Sequence, residues 1–230
     1  MHGKPMGAWG RMACFSFQAS KPLPALERGM AKSQNQDDYE LGAILGHYEY
    51  ARKFASGSEY GKYGKTGLGL KLRMHPLAAA LARCQLKKLP KRNADGATQI
   101  RRINDRLVQL PGLYEQRNRP DVERVYYSAN RFLFNETEAG MSREMCVKAL
   151  KAEGVSVRAA SAQFQCDAPA YHEPQWWHHM PIIADCYPGA EEVDRRGISL
   201  PYFTKDVPEL VDQYIAAFEK VWAHRKELAG

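Results

Sequence analysis

Residues 3–30 read GKPMGAWGRMACFSFQASKPLPALERGM, and within them RMACFSF (residues 11–17) is a short apolar run set between Gly10 and a Lys-Pro-Leu-Pro turn that begins at Lys21. A run of this kind, closed on both sides by chain breakers, fits a buried strand that ends in a functional loop. Lys21 follows that strand directly. A loop lysine is ordinarily solvated. The sharper alternative is an amine that attacks an aldehyde. That chemistry needs the neutral form, and a lysine with a pKa of ~10.4 is neutral only about once in a few thousand molecules at pH 7. A site using it has to disfavour the ammonium by roughly 4–5 kcal/mol, through burial and a neighbouring cation. Ser16 lies five residues before Lys21. Its hydroxyl either donates to a phosphate oxygen in the same pocket or rests half buried in the strand.

Around this stretch, 230 residues with 44% apolar side chains are enough to fill a core, which excludes disorder as the main state. No segment approaches the roughly 18 uninterrupted apolar residues of a membrane span, and the first residues lack a secretory succession. The expectation is a soluble, cytoplasmic protein. Lys and Arg outnumber Asp and Glu 33 to 26, a net charge of +7, but the two signs are interleaved. This argues against a nucleic-acid stripe and supports a mild preference for anions. The five cysteines (Cys14, Cys84, Cys146, Cys166 and Cys186) form no C-x-x-C pair and read as reduced thiols.

Further along, Leu41, Ile44, Leu45 and Tyr48 recur at helical spacing after Asp37, Asp38 and Glu40, which suit a helix N-terminus. Residues 56–69, SGSEYGKYGKTGLG, form a polar loop with five glycines, either flexible or shaped to approach a ligand. Pro76 opens a helix with Leu77, Leu81 and Cys84 on one face, which Pro90 interrupts or ends. A second helix carries Ile100, Ile103, Leu107 and Leu110 and is stopped by Pro111 and Gly112. Strands are expected over residues 122–134, 155–161 and 197–202. Between the first two, Ser142 caps a helix with Met145, Ala149 and Leu150 facing inward, and Gly154 terminates it. A last helix runs from about Asp206, with Pro208 in its first turn and Leu210, Tyr214, Phe218, Val221 and Trp222 on one side. The order strand, helix, strand, strand, helix describes a small α+β domain.

Residues 3–30 resemble the cofactor-lysine segment of the DegT/DnrJ/EryC1/StrS sugar aminotransferase family, in which FSF, a short spacer and a lysine precede a Gly-Glu-Gly-Gly turn. GLGLKLRMHPLAAALARCQLKKL (residues 67–89) resembles the same family's glycine, Asn-x-Arg and Ala-Ala helix segment. The Pro111-Gly112-Leu113 step, Gly154-Val155-Ser156, PGAEEVDRRGISLP (residues 188–201) and the closing helix fall in that family's order, so the likeness spans nearly the whole chain. It implies the α/β fold of the C-terminal part of a type I, aspartate-aminotransferase-like transferase. Residues 1–75 would be a remnant of the large cofactor domain, 76–110 a helical connector and 111–230 the small α+β domain.

The resemblance also implies pyridoxal 5'-phosphate as cofactor, and catalysis of amino transfer from an amino acid to a keto-sugar, free or nucleotide-linked, or to a related cyclic ketone. Lys21 would be the lysine that joins the cofactor and moves the proton during transamination, and Ser16 the residue that hydrogen-bonds the cofactor phosphate. Lys71 falls where the family has the asparagine of Asn-x-Arg, which reaches the phosphate held by the adjoining subunit of a homodimer, with Arg73 as the motif arginine. A lysine holds a phosphate as a point charge without the amide's geometry. Leu26, Glu27, Arg28 and Gly29 replace Gly-Glu-Gly-Gly, and Leu26 and Arg28 call for ordinary backbone angles. The family places an acidic partner for the pyridine nitrogen and a stacking aromatic upstream of the lysine segment, while Met1 stands twenty residues before Lys21. A truncated product or fragment is therefore expected, either an enzyme or a non-catalytic remnant that only binds or dimerises.

Other signals are weaker. Gly64-Lys65-Thr66 ends like a phosphate-binding loop, but Glu59 stands where that pattern requires glycine. His172, His178, His179, Asp185 and Cys186 fit no zinc spacing, so no metal is expected. Tyr171, Trp176 and Trp177 read equally as core or interface aromatics or as sugar-stacking ones. The basic run 87–92 reads as a solvated helix face rather than a nucleic-acid contact.

Overall fold

The computed structural model describes residues 1–47, 51, 54–65, 70–116, 118–125, 129–161, 164–184 and 187–228. The chain divides into two compact units, Met1–Asn93 with Asn118–Arg124, and Ala94–Arg117 with Val125–Gly230.

In the first unit, β1 (Met12–Ser16) pairs antiparallel with β2 (Gly29–Ser33), with Met12 opposite Ser33 and Ser16 opposite Gly29. The strand expected at residues 11–17 is present, but at the surface rather than buried: Met12 is 48% exposed, Phe15 39% and Met30 49%. The reason is pairing, since β1 has β2 as its only strand partner among the described residues. The Phe15 ring covers Gly7, where an added Cβ would fall 2.3 Å from Phe15 Cζ.

Leu26 overturns a second expectation. It adopts φ +64°, the left-handed angle that a glycine takes freely and that costs another residue about 1–3 kcal/mol. Ordinary angles are therefore not what this turn uses. Leu26→Gly is expected to stabilise the hairpin by about 1 kcal/mol, read from the urea midpoint at constant slope; a lower midpoint would contradict it.

Helix α1 (Gln36–Gly46) begins where the acidic residues predict, and Asn35 caps it by accepting from the Asp38 amide at 2.8 Å. Its burial differs from the apolar expectation. Ile44 is fully buried, but Leu41 and Leu45 are 43% and 44% exposed while the carboxylates Asp38 and Glu40 are buried; Tyr48 lies outside the described residues. Burial is tolerated because both acids are satisfied. Arg11 donates to both oxygens of Asp38 at 2.6 Å, and Gln36 and Ser58 donate to Glu40. The Arg11 guanidinium holds the Asp38 carboxyl below the usual carboxylate range.

The native state thus binds this proton less readily than the unfolded chain. The pair's contribution is present above the unfolded pKa of ~3.9 and is lost as pH falls through the lower native value. Asp38→Asn is therefore expected to lower stability at pH 7, with the gap to the parent chain closing as urea unfolding is repeated toward about pH 3. A gap that is constant with pH would contradict it.

Helix α2 (Pro76–Leu107) corrects the expectation of two helices, because it continues through Pro90. Proline removes one amide donor and crowds the preceding turn, a cost of about 3 kcal/mol that packing along the rest of a long helix offsets. The division between the units falls inside this helix. At its start Ala78 is buried, while Leu77 and Leu81 are 72% and 36% exposed and Cys84 is also exposed, contrary to the expected face. Toward its end Ile100, Ile103 and Leu107 are fully buried, as expected.

The second unit is built on an antiparallel sheet of order β3-β4-β6-β5, with β3 Leu113–Glu115, β4 Asn130–Phe134, β5 Arg158–Ala159 and β6 Gly197–Leu200. The three expected strands are shorter than their apolar patterns, and residues 126–128 lie outside the described residues. Gly112 takes φ +85°, and a Cβ there would come within 2.6 Å of the Asn135 carbonyl oxygen, which explains glycine at this turn. The short helix α3 (Glu136–Ala139) leads to α4 (Arg143–Ala152), whose cap Ser142 accepts from the Met145 amide at 3.2 Å. Gly154, at φ +86°, follows the end of α4 as expected.

The buried face of α4 is formed by Cys146, Val147 and Leu150, with Ala149 half-buried against the core as expected and Met145 only half-buried. Burial pushes the Cys146 thiol up to about 12, which makes it an inert core group. Helix α5 (Pro188–Arg196) precedes β6 and buries none of its residues. The last helix, α6 (Pro208–Ala223), packs Val211, Tyr214, Phe218, Val221 and Trp222 into the core beside Phe132, Phe134 and Ile198. Leu210 is instead 40% exposed, although it shares the face of Tyr214 and Val221, because it lies in the first turn at the end of the helix. No helix among the described residues is long and apolar enough to cross a membrane.

Candidate functional site

The hairpin carries Ser16 at the end of β1 and Lys21 on the loop that follows it. Beyond the Ser16–Gly29 pair the ladder continues with the Phe17 amide donating to the Arg28 carbonyl and the Ala25 amide to the Phe17 carbonyl, both at 2.7 Å. Gly29 is required here by close approach, because a Cβ would stand 2.8 Å from the Phe15 carbonyl oxygen. The chain between these contacts is a tight loop. The Gln18 amide donates to Ser16 Oγ at 3.3 Å, and the Lys21 amide donates back to the Gln18 carbonyl at 2.9 Å. Lys21 is half-buried and Ser16 is exposed. Accepting from Gln18 leaves the hydroxyl hydrogen of Ser16 able to donate elsewhere.

Sequence reasoning missed a supporting residue on α2. Arg92 donates to the Pro22 carbonyl at 3.2 Å, so a guanidinium grips the backbone immediately after Lys21. The run 87–92 is thus not wholly a solvated face. Nothing local could have revealed this, because Arg92 and Pro22 are 70 residues apart.

Lys71 is carried by a different segment. The Leu70 and Leu72 amides donate to the Leu45 and Gly46 carbonyls at 3.2 and 2.7 Å, which ties residues 70–72 to the end of α1 and leaves the Lys71 side chain exposed between them. The three candidates therefore separate into a Ser16–Lys21 pair on the hairpin and Lys71 beside α1.

The donor set suits both polar ends of pyridoxal phosphate: an amine for the aldehyde, and a hydroxyl and an ammonium for the phosphate. Lys65 and Gly64 follow a 3-10 turn at Gly61–Tyr63, and Thr66 lies outside the described residues. Among the described residues no group of three His, Cys, Asp or Glu side chains could hold a metal ion; Asp185 and Cys186 lie outside them. Cys14, Cys84, Cys146 and Cys166 are free thiols. Tyr171 stacks on Trp177 at 5.3 Å, and with Trp176 65% and Trp177 38% exposed, neither indole is a core residue.

The model of the DegT/DnrJ/EryC1/StrS aminotransferase family matches residues 1–219. The chain is 26% identical over 224 residues to the spore coat polysaccharide biosynthesis protein SpsC of Bacillus subtilis (strain 168), covering 94% of this chain and 55% of that protein. It is 25% identical to a putative L-glutamine:3-amino-2,3-dideoxy-scyllo-inosose aminotransferase of Streptomyces kanamyceticus, covering 99% of this chain and 51% of that protein. The chain thus spans about half the length of the curated relatives it matches.

Among solved structures, GDP-4-keto-6-deoxy-D-mannose-3-dehydratase of E coli with bound hydrated PLP superposes with a TM-score of 0.75 at 17% identity, over 94% of this chain and 56% of that one. DesI in the presence of its TDP-sugar product superposes with a TM-score of 0.71 at 22% identity, over 98% and 53%. The fold is therefore mixed α/β, that of part of these proteins.

Proposed function

Because the chain belongs to the DegT/DnrJ/EryC1/StrS aminotransferase family, we propose that it is the lysine-bearing part of a pyridoxal-phosphate-dependent aminotransferase acting on a keto-sugar or related cyclic ketone, with an amino acid as donor. The observation that carries this reading is the Ser16–Lys21 loop, where an amine and a hydroxyl are set by successive backbone contacts at the end of one hairpin. When bound, the cofactor supplies an electron sink for the donor's α-carbon. Lys21 Nζ would hold the cofactor's aldehyde end and, as a free amine, would carry the proton taken from that carbon. Ser16 Oγ donates to the phosphate. Lys71 adds a positive charge to the phosphate held by a second copy in a homodimer.

In this reading residues 1–75 belong to the cofactor domain, 76–110 to a connector and 111–230 to the small domain, and the protein works in the cytoplasm. A binding or dimerising role without catalysis is the second reading. The test is spectroscopic: the purified chain mixed with pyridoxal phosphate should show a visible band that bleaches on adding glutamate or glutamine. A band unmoved by either donor would favour the second reading, and no band would count against both the cofactor and the enzyme.

A further inference from the structure

The loop between β1 and β2 contains two prolines, in the order Lys21-Pro22-Leu23-Pro24. A proline has no amide to donate, and it restricts the residue before it, here Lys21 and Leu23, to an extended backbone. Backbone bonds therefore close the loop on either side of this stretch. Before it, the Lys21 amide donates to the Gln18 carbonyl at 2.9 Å, and the Gln18 side chain braces the same turn by accepting from the Ser20 amide at 2.8 Å and from the Ser20 hydroxyl. After it, the fully buried Ala25 donates to the Phe17 carbonyl at 2.7 Å. Residues 22–24 span the gap with a single amide, that of Leu23.

Arg92 reaches into that gap from α2. Its Nη1 donates to the Pro22 carbonyl at 3.2 Å, and it belongs to the same compact unit as the hairpin. The Arg92 side chain is half-buried, so its stem is packed and its head is held near one place. The contact acts on a particular torsion. The pyrrolidine ring sets φ of Pro22, while the direction of the Pro22 carbonyl is its ψ, and that is what the guanidinium fixes. Lys21 is then held from both sides, by the Gln18 carbonyl at its own amide and by a residue with both torsions set immediately after it. A lysine side chain has four rotatable bonds, so an anchored backbone is what confines its amine, and a displacement of about 1 Å at a reacting atom can cost about a hundredfold in rate.

We propose that Arg92 is a positioning residue for Lys21, which it serves by clamping the Pro22 carbonyl and so confining the lysine amine. The role rests on the reading of Lys21 as the lysine that takes the cofactor, but the clamp itself exists without any cofactor and can be measured separately.

The test uses the full 230-residue chain and the variants R92M, R92K and K88Q. Methionine keeps an unbranched stem and a good helix former while removing every donor, lysine keeps a cationic donor, and Lys88 is an exposed cation one turn earlier on α2. Amide hydrogen exchange without cofactor should be about tenfold faster over residues 19–25 in R92M, the loss of one charge-assisted contact, and unchanged over residues 12–16. After incubation with pyridoxal phosphate and borohydride reduction, the yield of adduct at Lys21 relative to Lys65 and Lys71 should fall about tenfold in R92M. R92K should recover most of both losses, and K88Q should show neither, which separates the clamp from the helix's overall charge. Parental exchange in R92M, faster exchange spread over residues 12–16 as well, or R92K behaving no better than R92M would overturn the clamp. Faster loop exchange with a parental adduct yield at Lys21 would overturn the positioning role. A parent chain without adduct at Lys21 would instead remove the role of the lysine, and that of Arg92 with it, whatever the exchange shows.

Discussion

Lys21→Ala is expected to abolish the visible absorbance of the chain mixed with pyridoxal phosphate, down to the spectrum of the free cofactor, while the chain still unfolds cooperatively. Fold and chemistry part company at this residue. Lys21 is half-buried on a loop held by backbone hydrogen bonds and by Arg92 at Pro22, so removing its side chain leaves the hairpin ladder intact. The amine has no substitute on the loop, where its neighbours are Ser20 and Pro22. Lys21→Arg is expected to fail equally, since a guanidinium keeps the charge but is protonated at all accessible pH and cannot attack an aldehyde. A band of parental intensity in the alanine variant would assign the covalent role to another lysine.

Phe218→Ala should have the largest effect on stability. Phe218 is fully buried on α6, stacks on Trp222 with centroids 5.8 Å apart, and Trp222 in turn meets Phe134 of the sheet edge-on at 6.2 Å. Truncation removes one ring from the contact between helix and sheet and leaves a cavity, a loss of about 3–5 kcal/mol in urea unfolding. Leu210→Ala, on the same helix but 40% exposed, should stay within about 0.5 kcal/mol. If the two variants were equally destabilised, α6 would be rotated from the packing described here.

These two residues also mark how much could be read from the amino-acid order. Signals that act over a few residues held: Ser142 and Gly154 bound α4, Asp37 and Asp38 open α1, and the Pro208 turn starts α6. The lysine segment and the family it resembles were legible for the same reason, being contiguous. What failed depends on partners distant in sequence. The apolar run at residues 11–17 forms its strand, but the sequence does not show how much lies against it. Helix α2 runs through Pro90 because its length offsets one lost hydrogen bond, and no window around the proline contains that information. Leu26 adopts a glycine-like angle because the closure between Phe17 and Ala25 dictates the turn, not the residue's own preference. Strand β3 is three residues long, too short to show alternation, and α5 buries nothing, so neither left an apolar period to find.

The central claim is that the Nζ of Lys21 is the atom to which pyridoxal phosphate attaches. Borohydride reduction of the chain incubated with the cofactor, followed by proteolysis and mass mapping, tests it most directly. The reduced pyridoxyl adduct is expected on the peptide containing Lys21. An adduct confined to other lysines, such as Lys65 or Lys71, or spread evenly over surface amines with none enriched at Lys21, would contradict it.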